Sequence, residues 1–159
     1  MKKINVSLLL VFFVSFTLFS QTNEKGKVMK VINEVFDAMR TNDSTLLKAC
    51  FIASPHMFTL YEKEDGSSSL SKGDFQKFAS TVGQSKAQVW DERIWNEKVE
   101  IDGNLASVWV DYAFFIEDQL SHCGVDAIHL VKDEGYWKIF HLADTRRKDP
   151  CEIPENIRP

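Results

Sequence analysis

The stretch LASVWVDYAFFIEDQLSHCGVDAIHLVKDEGYWKIFHLADT, residues 105–145, decides the fold. Its apolar residues alternate with polar ones, the period of half-buried β-strands rather than of helices. Two clusters of turn formers, Glu117-Asp118-Gln119 and Asp133-Glu134-Gly135, divide it into strands over 105–116, 120–132 and 136–145. Upstream, Asp102-Gly103-Asn104 separates Leu105 from a fourth long strand over 87–101. Strands of this length joined by short turns form an antiparallel meander.

The preceding residues change period. Over 25–41, Val28, Ile32, Val35, Phe36 and Met39 recur at helical spacing. Asn42-Asp43 ends that helix, and Asp43 or Ser44 can cap a shorter one running through Cys50. Ser54-Pro55 breaks the second helix, which makes His56 a loop residue. Residues 57–62 read as a short strand and 63–69 as a polar loop. A third helix over 71–82 has Ser71 as N-cap, Asp74 three residues on, and Phe75, Phe78 and Val82 on one face. Early helices folded over one face of a late, curved antiparallel sheet make an α+β domain.

Around this domain lie two short segments. Lys2 and Lys3 precede an apolar run, Val6 to Phe19, that returns to polar residues at Ser20-Gln21-Thr22-Asn23. That is the pattern of a secretory signal peptide over 1–20 cleaved near Ser20, and the run is shorter than a membrane-spanning helix requires. The domain then occupies 21–148, and a Pro-containing tail occupies 149–159. Export places the chain in the periplasm or outside the cell, in contact with the membrane only through the leader. Of three cysteines, Cys50 sits in an apolar helical stretch, Cys123 in a strand and Cys151 in the tail. Three pairings are possible in an oxidising compartment; a tail bridged back onto the sheet favours Cys123–Cys151, with three reduced structural cysteines as the alternative. The net charge of −4 lacks the basic excess of nucleic-acid binders. Phosphate loops, nucleophile elbows and zinc-protease motifs are missing, so hydrolase and nucleotide-binding readings have no support.

The order of elements, the Asp102-Gly103-Asn104-Leu105-Ala106 turn and strand, and Gly135-Tyr136-Trp137-Lys138-Ile139 resemble the nuclear transport factor 2-like superfamily. Within it, His122-Cys123-Gly124 and Asp144-Thr145-Arg146-Arg147 followed by Cys151 resemble small exported bacterial members. The resemblance spans roughly residues 25–148. It implies a SnoaL-like, cystatin-like cone: N-terminal helices packed on a strongly curved antiparallel sheet that wraps a pocket. The superfamily includes polyketide cyclases, ketosteroid isomerase and scytalone dehydratase beside many non-catalytic binding domains, so the fold alone does not decide function. It also implies a homodimer through the outer sheet face.

Strand pairing brings candidate residues together. A three-residue loop at 133–135 would pair Lys132 with Tyr136, Asp126 with Leu142, Gly124 with Asp144 and His122 with Arg146. A similar loop at 117–119 would pair Tyr112 with Gly124 and Phe114 with His122. One face then carries an apolar floor of Val108, Val110, Phe114, Ile128, Leu130, Phe140 and Leu142 and a polar end of Tyr112, His122, Asp126, Asp144 and Arg146. Such a face suits a small, largely apolar molecule, with Tyr112, Phe114, His122, Asp126, Phe140, Asp144 and Arg146 as contacts. Gly124 leaves room for the Tyr112 hydroxyl to reach toward Asp144. A two-residue turn at Glu134-Gly135 would shift this register by one.

Three functions fit these residues. The first is a non-catalytic binding domain acting as carrier, sensor or accessory module. The second is a cofactor-independent lyase or isomerase, with Asp144 or Asp126 as base and Tyr112 or His122 as acid. The third is a structural dimerisation module in which the Asp–Arg–His–Tyr group is only a satisfied network. No cofactor is implied. On the opposite face, with Trp109, Asp111, Cys123, Trp137 and Ile139, His129 and His141 are expected as diagonal neighbours, but no motif supplies a third ligand, so no metal is expected.

Overall fold

The computed structural model describes residues 6–63, 65–84 and 88–159, with side chains from residue 23 onward. Lys2 and Lys3 of the expected signal peptide lie outside the described residues, as do the side chains of the apolar run that follows. No described helix is long and apolar enough to cross a membrane.

Helix α1 (Val6–Thr41) leads into α2 (Ser44–Ala49), then β1 (Phe51–Glu62), β2 (Ser68–Gly73), α3 (Phe75–Val82), β3 (Trp90–Asp102), β4 (Leu105–Ile116), β5 (Gln119–Asp133) and β6 (Tyr136–Arg146), with a short 3-10 turn, Glu155–Ile157, in the tail. The strands form one sheet in the order β2-β1-β6-β5-β4-β3. Every pair is antiparallel except β1 and β6, which run parallel. The sheet is therefore mixed, because β1 returns from the helices to the strand made last.

The core lies between the helices and one sheet face. Val28, Ile32, Val35, Phe36 and Met39 of α1 are all buried there, against Val108, Val110, Ile128, Leu130 and Ile139. The Phe51 and Phe75 rings meet at 4.7 Å and pin α3 over the start of β1. Asp43 caps α2 by accepting the Thr45 and Leu46 amides, both at 2.9 Å. Asp74, not Ser71, caps α3 through the Lys77 amide at 3.0 Å, because residues 68–73 are recruited as an edge strand against β1. Strand β1 also starts earlier than the periodicity indicates. Pro55 lies in an irregularity between Phe51 and His56, where its missing N–H costs no ladder bond, and His56 becomes a strand residue beside His141.

The register of the meander departs from expectation in a compensating way. The β5–β6 turn has only two loop residues, Glu134 and Gly135, at φ 49° and 86°, the geometry of a type I′ hairpin. Asp133 therefore pairs with Tyr136 and Lys132 with Trp137. Trp137 and Ile139, expected on the outer face, are buried in the core. An irregularity between His129 and Leu130 then takes up one extra residue of β6, so His129 lies directly opposite His141 and Asp126 opposite Asp144 rather than Leu142. The β4–β5 turn behaves alike: Ile116 pairs with Gln119, and a shift after Phe114 restores the expected Phe114–His122 and Tyr112–Gly124 pairs.

The tail is fastened to the outer face. Cys123 and Cys151 form a disulfide, Ile153 is buried with Ala113 and Phe115, and the Arg93 guanidinium donates to the Ile157 carbonyl at 2.9 Å. Cys50 is a buried free thiol, its pKa pushed up to about 11 chiefly by burial.

Gly124 is under the strongest steric constraint. A Cβ there would collide with the Thr145 carbonyl and lie 2.8 Å from Cε1 of Tyr112. Gly124→Ala is expected to cost about 1–3 kcal/mol or more, read as a lower urea midpoint. By contrast Gly26, in α1 with nothing within 4 Å of its added methyl, should gain about 0.5–1 kcal/mol as Gly26→Ala.

Candidate functional site

A cavity of about 420 Å³ opens between the helices and the inner sheet face. Val35, Phe36 and Met39 of α1, Phe78 of α3, and Trp90, Phe114, Ile116 and Leu142 of the sheet form its apolar wall. Its polar end combines Thr59, Glu92, Tyr112, His122, Asp126, Asp144 and Arg146. Six of the seven residues expected to contact a ligand border this space: Tyr112, Phe114, His122, Asp126, Asp144 and Arg146. Phe140 does not. It is the extra residue of the β6 irregularity, and its ring stacks on His129 with centroids 6.0 Å apart.

The polar end is assembled from five strands. Asp144 on β6 accepts the Thr59 hydroxyl of β1 at 2.7 Å on Oδ1. Its Oδ2 faces the Tyr112 hydroxyl and the Arg146 Nε and Nη2, each at 3.2 Å. The Tyr112 hydroxyl also lies 3.0 Å from the Thr145 carbonyl. Thr145 has turned that carbonyl out of the ladder, and its own hydroxyl accepts the Val125 amide at 3.0 Å. Pairing resumes at Cys123, whose backbone exchanges hydrogen bonds with Arg147. Asp144 is thus a fully engaged carboxylate, poorly available as a base.

Asp126 differs. It is 3% exposed and shares a hydrogen bond with the Glu92 side chain. Its Oδ2 has no protein partner among the described residues. Burial first, and then the charges of Glu92 and Asp144, push its pKa well above the usual carboxylate range. Glu92 is raised to about 7, again chiefly by burial. Near neutral pH the pair holds at least one proton. Glu92 was not singled out from the sequence because β3 carried no register. The available clue was alternation: Trp90, Glu92 and Ile94 pair with Ile116, Phe114 and Tyr112, and so share their face.

His122 is a neutral ring at pH 7. Burial, then Arg146 and Lys148, lower its pKa to about 4. It packs edge-on to Tyr112 at 5.8 Å and against Phe114 at 5.0 Å, with Nδ1 3.0 Å from the Ser121 hydroxyl. It cannot serve as a charged acid there. Tyr112 is held protonated, its pKa raised by burial and by Asp144, Glu92 and Asp126. On the outer face, His129 and His141 bring their Nδ1 atoms to 3.0 Å, directly opposite rather than diagonal, and Cys123 is committed to the disulfide.

The raised Glu92 has a consequence for stability. A carboxyl with a higher pKa in the folded state stabilises below its unfolded value of 4.5 and loses that contribution as pH rises toward about 7. Glu92→Gln should flatten the fall in Tm between those limits and melt higher than the parent at pH 8, as followed by circular dichroism.

A family model described as "Putative lumazine-binding" matches residues 23–141. No curated protein sequence matches the chain. Among solved structures, the chain is similar to an NTF2-like protein of unknown function from Shewanella baltica, with a TM-score of 0.59 and 19% identity over 82% of this chain and 97% of that one. It is similar to an NTF2-like protein with a cystatin-like fold from Novosphingobium aromaticivorans, with a TM-score of 0.66 and 9% identity over 94% and 95% of the two chains. A protein from Streptomyces avermitilis, described as a "putative dehydratase from the NTF2-like family", gives a TM-score of 0.62 and 11% identity over 80% and 98%. At these identities the structures speak for the fold. With the family model spanning most of its length, the chain belongs to the family described as "Putative lumazine-binding", and its fold is that of NTF2-like proteins.

Proposed function

We propose that the chain is an exported binding domain for a small, largely apolar molecule, acting as a carrier, sensor or accessory module without catalysis. The observation that carries this reading is the cavity of about 420 Å³, in the size range of small-molecule sites, with apolar walls and polar groups gathered at one end. The family description points the same way. A site of this form argues against a purely structural module, which would gain stability by filling the space. Export is supported by the basic-then-apolar start of the sequence and by the Cys123–Cys151 disulfide, a bond characteristic of oxidising compartments.

Catalysis is the second reading, and one observation favours it: the Glu92–Asp126 pair holds a proton near neutral pH, as an acid–base centre requires. Its expected partners are less apt. Asp144 is engaged by Thr59, Tyr112 and Arg146, and His122 is neutral. A homodimer through the outer face is part of the proposal. The tail covers the end of that face near Cys123, while Leu105 and Trp109 remain 52% and 50% exposed.

Native mass spectrometry of protein from its own cell envelope tests these points together. A dimer carrying a retained small-molecule mass is expected; a bare monomer overturns the reading. In a separate titration, ligand binding should change the fluorescence of Trp90, which lines the cavity. That change should be lost on filling the space with Val35→Trp.

A further inference from the structure

We infer that the polar end of the cavity is built for a ligand head carrying a positively charged nitrogen, an amine or a protonated amino-heterocycle, which takes the place of the proton shared by Glu92 and Asp126. This rests on the reading of the cavity as a small-molecule site and names the chemistry of its occupant.

Three carboxyls converge here, Glu92 from β3, Asp126 from β5 and Asp144 from β6, against one lining cation, Arg146. Asp144 is already satisfied by Thr59, Tyr112 and Arg146. Asp126 and Glu92 have each other, and Asp126 Oδ2 is buried with no hydrogen-bond donor from the described residues. A buried polar oxygen of this kind is costly until a donor reaches it, and the open side of the pair is the cavity. An N–H⁺ group satisfies the oxygen and supplies the charge that lets the pair ionise. The step balances: the cation docks, one proton leaves the pair for water, and the charge of the site is unchanged.

The surrounding groups favour this head over others. Arg40 of α1 reaches the Glu92 carbonyl at 3.3 Å but is held by Asp91 at 2.9 Å and by Asp37. Asp74 is occupied as the α3 cap. Tyr112 on β4 and His122 on β5 are neutral. Removing the proton therefore leaves an excess of negative charge that an incoming cation neutralises, whereas a carboxylate head meets three acids. The pKa of Glu92, raised to about 7, places the proton exchange within an accessible pH range.

The test uses three probes with one apolar body: 2-naphthylmethylamine, 2-naphthalenemethanol and 2-naphthoate. Calorimetry at pH 6 and pH 8 in two buffers of different ionisation enthalpy reads affinity and proton release together. The amine should bind the parent protein at least about tenfold more tightly than the alcohol at pH 8, release protons, and lose part of its advantage at pH 6. Glu92→Gln should abolish that preference, so that amine and alcohol bind the variant with the same affinity as each other; Asp126→Asn gives the same readout if the first variant does not fold. Equal binding of amine and alcohol, or stronger binding of naphthoate, overturns the inference and leaves the pocket reading standing. Binding of none of the three overturns both.

Discussion

The phenol of Tyr112 crosses β5 at Gly124 and ends against β6, 3.0 Å from the Thr145 carbonyl and 3.2 Å from Asp144. This contact needs a position with no side chain in the middle of the sheet, and a gap in the β5–β6 ladder to receive the hydroxyl. Gly124 supplies the first. Thr145 supplies the second by giving its carbonyl to the phenol and its hydroxyl to the Val125 amide. The polar cluster follows from there. With the ladder opened, Asp144 and Arg146 face the cavity beside Asp126, and three strands contribute charge to one small volume.

That volume is electrostatically uneven. Asp144 is hydrogen-bonded on both oxygens and paired with Arg146. Asp126 and Glu92, a short distance away, are desolvated and near other negative charge, which favours the protonated form. One end of the pocket therefore holds a fixed ion pair and a proton-bearing acid pair side by side. The apolar wall supplied by α1 and α3 keeps that environment dry enough for the difference to persist. A second charge network has a mechanical role: Arg40 and Arg93 converge on Asp91, and Arg93 also donates to the Ile157 carbonyl, so that α1 and the tail are both linked to β3.

Much of the fold was legible because the signals were long and periodic. The α1 stripe from Val28 to Met39 and the four long strands stand where alternation places them, and the Cys123–Cys151 bond follows from a tail that must return to the sheet. The elements that escaped are short or polar. Strand β2, Ser68–Gly73, has one apolar residue, Leu70, and that residue is 65% exposed, so no pattern marks it as a strand. Its edge is made by the pairing with β1 rather than by its composition. At the site, Tyr112, Asp126 and Asp144 were found by face alternation, while Glu92 was missed because β3 changes face at Asn96 and its register cannot be counted from a turn. Phe140 was misplaced by two local events, a shorter hairpin and a compensating irregularity, each of which moves a residue to the other face.

The sequence by itself determined the α+β order of elements, the apolar stripe that α1 buries and the alternation of the late strands. These depend on periods of two or of three to four residues, which the chain carries locally. Only the tertiary structure decided that β1 runs parallel to β6, that Asp126 stands opposite Asp144, and that Glu92 completes the acid pair. Those outcomes depend on where two hairpins and two irregularities add or remove a residue, and on which backbone groups leave their ladder. Such choices are settled by packing across the whole sheet, so no single segment of the chain encodes them.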